Sequence, residues 1–138
     1  MLKDSYHQRF GNLQVSLDIL NALILKCNDN LNVFANNINF ILLEILNLND
    51  LLLSNHSLNV FNTFCQNLNN QLFIDDRSFL DNFLTLSNSF LNLYNQDNTP
   101  NKDYKEDDKN IIHWKIISIN SANYLSNILS FNLNYAQL

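Results

Sequence analysis

The residues that could bind zinc through nitrogen or sulfur are few and lie far apart in the chain. They are three histidines and two cysteines: His7, His56, His113, Cys27 and Cys65. Structural zinc sites take paired ligands separated by only a few residues, and no such pair occurs here. His56 and Cys65 fall on one predicted helix, at a separation that points them in different directions. The sequence therefore predicts no metal site, and a folded cluster of His56, Cys65 and an acidic residue is the alternative.

Nucleophilic and acid–base chemistry also lacks a candidate group. Cys27 as a nucleophile would need an activating base and access to solvent, but it continues an apolar helical stripe. The single Gly of the chain excludes a glycine-rich phosphate loop. Asp75-Asp76 and Asp107-Asp108 are adjacent in sequence, whereas acid–base pairs face each other across a substrate. We therefore predict no catalytic residue and no cofactor, and expect that the protein is not an enzyme.

The composition favours a small number of long helices. The chain has 138 residues, of which 46% are hydrophobic, but only one Gly and one Pro. An all-β domain needs many tight turns, and those turns need such residues. Asparagine makes up about a fifth of the chain, and we interpret it as filling tolerant surface positions. A prion-like aggregating segment is the alternative, but the asparagines are interleaved with Leu, Ile and Phe, which core burial explains better.

The net charge of −5 and the pI of about 4.8 restrict the possible partners. An acidic chain is repelled by phosphate backbones, so we predict no nucleic-acid binding. The same sign disfavours unaided binding to an anionic membrane surface. The longest apolar runs, such as Phe40–Leu43, are far shorter than the ~18 residues of a membrane helix. With no secretory signal, we expect a soluble intracellular chain whose two cysteines are reduced and buried.

Hydrophobic periodicity predicts five helices, at about residues 12–27, 32–48, 50–68, 77–94 and 111–130. The segment Asn28–Asn30 offers cap residues to the second helix and Asp75-Asp76 to the fourth. Residues 95–109 contain the only Pro and no aliphatic side chain, which predicts a mobile acidic loop. In the fifth helix, an interruption is expected near Asn120–Ala122. The positions expected to face inward are, helix by helix, Leu13, Leu17, Leu20, Ile24 and Cys27, widened by Val15, Ile19 and Leu23; Phe34, Ile38, Ile41, Ile45 and Leu48, with Leu42 and Leu46 beside them; Leu53, Val60, Phe61, Phe64, Cys65 and Leu68; Phe79, Phe83, Leu86, Phe90 and Leu93; and Ile111, Trp114, Ile117, Leu125, Ile128 and Leu129.

Two all-α architectures fit these helices. One is a closed bundle, and the other is a stack of antiparallel helix pairs from an armadillo- or HEAT-like α-solenoid. The pairs repeat at roughly 40 residues, which is typical of such arrays. The chain ends directly after the apolar run Ile128–Leu133, so we interpret its end as an interruption of a longer array.

A more specific pattern lies in residues 7–42. A basic residue precedes a Gly-Asn pair, a Val-Ser-Leu-Asp-Ile-Leu helix follows, and a second helix opens with Val-Phe-Ala. This stretch resembles the fungal form of the plasma-membrane scaffold family named "eighty-five requiring three", or Efr. A later aromatic-x-x-aromatic-Cys helix, at residues 61–65, is similar to a helix of the same family. The residues on the family pattern are Arg9, Gly11, Asn12, Leu17, Leu20, Asn30, Leu31, Phe34, Phe61 and Phe64.

The resemblance implies a non-enzymatic helical rod, and this chain would be an early piece of it. Members of the family sit peripherally on the cytoplasmic face of the plasma membrane. There they recruit a phosphatidylinositol 4-kinase complex through a helical-repeat adaptor. The family's basic membrane surface is not evident here, because only Lys3 and Arg9 are basic near the start. A self-contained helical bundle that binds one partner in a groove is the alternative.

Overall fold

The computed structural model describes residues 2–95 and 106–136, with the side chains of residues 9–95 and 109–128. The described residues form six α-helices and no β-strand, which confirms the prediction of an all-α fold. Short 3₁₀ turns at Asn28–Asn30 and Leu93–Asn95 follow the first and fifth helices. The helices are α1 (Leu2–Lys26), α2 (Leu31–Asn47), α3 (Leu51–Asn67), α4 (Asn70–Asp75), α5 (Arg77–Asn92) and α6 (Glu106–Ala136).

The first and last helices are longer than the sequence predicts. Helix α1 begins at Leu2 rather than near residue 12 and continues through Gly11, because one glycine costs a helix only about 1 kcal/mol. Helix α6 begins at Glu106 and runs without a break past Asn120–Ala122. Residues 106–109 of the predicted loop are thus helical, as acidic residues suit a helix N-terminus. Residues 96–105 lie outside the described part, and the short helix α4 was not predicted.

Side chains define where three of the helices begin. Asp50, Asn69 and Asp76 each precede a helix and accept a hydrogen bond from a backbone N–H of its first turn, at 3.0 Å. The expected cap at Asp76 is therefore confirmed. The expected cap at Asn28–Asn30 is wrong: these residues form a 3₁₀ turn, and Asn30 makes no side-chain capping bond to α2.

The helices lie in two layers. Helices α1, α3 and α6 are neighbours in one layer, α2 and α5 in the other, and α2–α3 and α5–α6 contacts join the layers. Phe61 of α3 stacks on Phe90 of α5, whereas Phe64 stacks on Phe79, so these two helices run in opposite directions. By contrast, α3 and α6 run in parallel. Residues 51–55 of α3 share one cleft with residues 110–117 of α6, and residues 62–66 of α3 share another with residues 124–128.

The core fills the space between the two layers. Most positions expected to face inward are buried, from Leu17, Leu20 and Ile24 on α1 to Ile117 on α6. Trp114 is half-buried and packs against this core. The expectation fails for five exposed apolar residues, because each helix buries a narrower stripe than its sequence pattern allows. These are Val15, Ile19 and Leu23 on α1, and Ile41 and Leu48 on α2 or at its end.

Candidate functional site

The phenylalanines of α3, α4 and α5 form one aromatic cluster at the centre of the core. Phe61 and Phe64 on α3, two of the family-pattern residues, are 0% exposed. The ring centroid of Phe61 lies 4.5 Å from that of Phe90, and the ring centroid of Phe64 lies 6.3 Å from that of Phe79. Phe73 of α4 packs its ring against the edge of Phe83 at 5.1 Å. Rings at these separations attract one another beyond their burial, so the cluster fixes how α3, α4 and α5 sit together.

The apolar residues of the family pattern in α1 and α2 also pack. Leu17, Leu20 and Leu31 are buried, and Phe34 is half-buried against the core. Leu17 and Leu20 lie three positions apart on one face of α1, the spacing that places two side chains together on a helix. These side chains are therefore part of the core between the two layers and do not form an exposed site.

The polar residues of the family pattern do not converge. Arg9, Asn12 and Asn30 are exposed, and Asn12 uses its backbone oxygen to accept a hydrogen bond from Ser16. Gly11 lies inside α1 without a positive φ, and a Cβ built on it would meet no atom within 4 Å. Neither a close backbone approach nor an unusual φ, the two usual reasons for a glycine at a helix boundary, therefore applies to Gly11. The structural role that the family pattern implies for Arg9, Asn12 and Asn30 stays a prediction.

One polar contact joins α1 to α3. Nε2 of His56 and Oδ1 of Asp18 lie 2.7 Å apart. The pair is at the surface, where side-chain exposure is 28% for the histidine and 69% for the aspartate. Sequence reasoning missed the pair because its members are 38 residues apart and only helix packing brings them together. Exposed pairs of this kind contribute about 1 kcal/mol or less.

The two cysteines have different surroundings. Cys65 is buried, and burial raises the pKa of its thiol to about 12. A thiol in that state is protonated near neutral pH and is a poor nucleophile and metal ligand. Cys27 is half-buried at the end of α1. Within the described residues, no three His, Cys, Asp or Glu side chains come close enough to bind a metal ion.

Two clefts follow the seam between α3 and α6. The first has a volume of about 500 Å³ and is lined by both helices near their N-terminal ends, with Leu51, Leu52, Ile116 and Ile117 as its apolar walls. The second has a volume of about 250 Å³ and lies further along the same seam. Its lining combines Cys65, Leu68, Tyr124 and Ile128 with the side-chain amides of Asn62, Gln66, Asn70 and Asn127. Periodicity could not reveal these clefts, because they arise between two helices distant in sequence.

No helix in the described part of the chain combines the length and apolar character that crossing a bilayer requires.

Comparison with known proteins gives one consistent family. Residues 1–130 match the family model described as EFR3 protein. The chain is 35% identical over 134 residues to Protein EFR3 of Debaryomyces hansenii, covering 97% of this chain and 14% of that relative. It is 38% identical over 120 residues to Protein EFR3 of Yarrowia lipolytica, covering 87% of this chain and 13% of the relative. Protein EFR3 of Saccharomyces cerevisiae is 34% identical over 93 residues, covering 60% of this chain and 12% of the relative.

The chain therefore spans about a seventh of the length of the first of these relatives. No solved structure matches it.

Proposed function

Because the chain belongs to the EFR3 protein family, we propose that it is a non-enzymatic segment of a peripheral plasma-membrane scaffold. The scaffold recruits a phosphatidylinositol 4-kinase complex, through a helical-repeat adaptor, to the cytoplasmic face of the membrane. The single observation that carries this proposal is the family match over residues 1–130. The segment contributes by holding neighbouring surfaces in a fixed geometry.

The use of its side chains supports a role without catalysis. The aromatic residues of the family pattern pack in the core, the Cys65 thiol is kept protonated by burial, and His56 is paired with Asp18. Two of the five histidines and cysteines, His56 and Cys65, are thus occupied by a contact between helices or by packing.

The layered packing supports a repeat architecture over a closed bundle. Within one layer α3 and α6 are parallel, while across the layers α3 and α5 are antiparallel. Stacked antiparallel pairs produce this combination, and further pairs can extend it into an α-solenoid. We therefore propose that α1 to α6 belong to such an array. The rival function is a self-contained helical module that binds one partner.

The charge supports a positional role for this segment. With a net charge of −5 the chain as a whole is repelled by anionic lipids. We propose that other parts of the whole protein contact the membrane and the adaptor. This segment then sets the distance between those parts.

A chimera of the Saccharomyces cerevisiae relative tests the proposal. Its matching segment is replaced by residues 1–130 of this chain, in cells depleted of their own EFR3. We expect the kinase, followed by a fluorescent tag, to return to the plasma membrane, and a phosphatidylinositol 4-phosphate reporter to recover its signal there. The matched control carries Leu20→Asp, which unfolds the segment because it places a carboxylate in the core.

A chimera that is stable and reaches the membrane, yet leaves the kinase dispersed, would contradict the proposal. The rival module makes a different prediction for the isolated chain. It would be a monomer that unfolds in one cooperative step and binds a single partner, whereas a solenoid segment exposes apolar faces and self-associates.

A further inference from the structure

The two clefts between α3 and α6 lie along one seam, because the same faces of the two helices line both: Asn55 and Asn62 on α3, and Ile117 and Tyr124 on α6, are each about two helical turns apart. We propose that this seam binds an extended peptide segment that carries one apolar anchor residue with a basic residue near it. The inference rests on the clefts alone, and it holds whether or not the protein supports a lipid kinase.

The first cleft is suited to the apolar anchor. Its walls are Leu51, Leu52, Ile116 and Ile117, and its volume of about 500 Å³ exceeds that of any single side chain. Leu52 and Ile116 are 64% and 46% exposed, so solvent reaches apolar surface at the mouth of the cleft. Covering that surface with an aliphatic or aromatic side chain is favourable because it removes apolar area from water.

The second cleft is suited to a peptide backbone. Four residues that carry side-chain amides line it, Asn62, Gln66, Asn70 and Asn127, and none of these amides makes a hydrogen bond to another described residue. Each amide offers both an acceptor and donors, which are the groups that pair with the N–H and C=O of an extended chain. A helical partner would pair these backbone groups internally and leave the amides unmatched. The row of amides therefore favours an extended segment.

The charge of the seam determines which type of residue is favoured beside the apolar anchor of the bound peptide. Asp50 is the one Asp, Glu, Lys or Arg among the residues lining the two clefts. One carboxylate oxygen of Asp50 accepts a hydrogen bond from the backbone N–H of Leu53. Its other oxygen makes no hydrogen bond to another described residue. A Lys or Arg near the anchor can pair with this carboxylate, whereas an acidic residue is repelled.

The test uses the 138-residue chain and fluorescein-labelled pools of synthetic ten-residue peptides. Every peptide has a fixed leucine, and the neighbouring fixed position is Arg in one pool and Glu in a second. A third pool has the Arg composition but is held helical by a hydrocarbon crosslink. Fluorescence anisotropy measures binding, and side-chain amide NMR signals report on Asn62 and Asn127. We expect the flexible Arg pool to bind most tightly and to shift those signals.

Single substitutions connect the binding to the seam. Asn62→Ala and Asn127→Ala should each weaken binding about fivefold through one lost hydrogen bond. Ile116→Ser should weaken it about tenfold or more by making the first cleft polar. Asp50→Asn keeps a good helix cap and should remove the preference for Arg over Glu. The matched controls, Asn32→Ala and Asn37→Ala, change exposed asparagines of α2 away from the seam and should leave binding unchanged.

Several outcomes would overturn the proposal. If Asn32→Ala and Asn37→Ala weaken binding as much as Asn62→Ala and Asn127→Ala do, the binding is non-specific adsorption to an asparagine-rich surface. Stronger binding of the helical pool would make the occupant an amphipathic helix. Self-association lost with Ile116→Ser would make it a second copy of the chain. No binding by a chain whose circular dichroism shows it folded would leave the seam without a peptide ligand.

Discussion

The ring of Phe61 on α3 lies 4.5 Å from the ring of Phe90 on α5, centroid to centroid, with 30° between the ring planes. Both side chains are 0% exposed. The contact joins the two helix layers, because α3 lies in the layer with α1 and α6 whereas α5 lies with α2. This centroid distance is the shortest in the aromatic cluster. Substitutions at Phe61 and Phe90 therefore test how strongly the two layers are held together.

Loss of either ring should destabilise the protein strongly. We expect Phe61→Ala or Phe90→Ala to lower the free energy of unfolding by about 3–5 kcal/mol, since each removes a large buried side chain. A double-mutant cycle in urea should give a coupling of about 0.5–1.5 kcal/mol for the stacked pair. Phe40→Ala is the control, because Phe40 is 64% exposed. A loss at Phe40 equal to that at Phe61 would contradict the assignment of the core.

Adjacent residues on α1 test the orientation of that helix. Leu20 is buried, whereas Ile19 is 64% exposed. We expect Leu20→Asp to unfold the packing of α1, because an unpaired buried carboxylate costs several kcal/mol. Ile19→Asp should change the free energy of unfolding by less than about 0.5 kcal/mol. Circular dichroism and urea unfolding measure both variants. Equal effects at the two positions would mean that α1 is rotated differently.

Gly11→Ala should stabilise the protein. Gly11 is inside α1 without a positive φ, and an added Cβ would meet no atom within 4 Å. Alanine is favoured over glycine in a helix interior by about 0.5–1 kcal/mol. Thermal and urea unfolding should show this gain. A loss of stability would instead mean that another group lies close to Gly11 and leaves no room for a side chain there.

Asn39→Leu should also stabilise the protein. Asn39 is 2% exposed, and among the described residues neither its side-chain oxygen nor its nitrogen has a hydrogen-bond partner. A buried polar group without a partner costs about 1–3 kcal/mol, and leucine has a similar shape without that cost. Asn37→Leu on the exposed face of the same helix is the control and should be close to neutral. A destabilised Asn39→Leu variant would indicate that the amide has a partner, such as a buried water.

The thiol of Cys65 should make stability depend on alkaline pH. Burial raises its pKa from 9.0 to about 12, so above pH 9 the unfolded thiol loses its proton while the folded one keeps it. This contribution is fully present below pH 9 and is lost as the pH rises towards 12, by about 1.4 kcal/mol per unit. The Cys65→Ala variant lacks it. Between pH 8 and pH 10 the stability advantage of the natural chain over Cys65→Ala should therefore shrink, by roughly 1 kcal/mol. A constant difference would mean that the thiol is not buried.

Local patterns were sufficient for the class of structure and for most of the core. The scarcity of Gly and Pro and the three-to-four-residue spacing of Leu17, Leu20 and Ile24 predicted helices that bury one face. These signals are local, because a helix satisfies its own backbone hydrogen bonds. The same local rules misplaced the start of α1. Gly11 resembles a helix boundary in sequence, yet its cost is small enough for the helix to continue.

What the sequence determined by itself is an all-α chain of amphipathic helices with the pattern of one protein family. Tertiary structure alone decided which apolar residues remain exposed, such as Ile19 and Leu52, and which distant groups meet, such as Asp18 and His56. It also created the clefts between α3 and α6. The reason is physical: periodicity specifies that a helix has an apolar face, whereas the neighbouring helices specify how much of that face is covered.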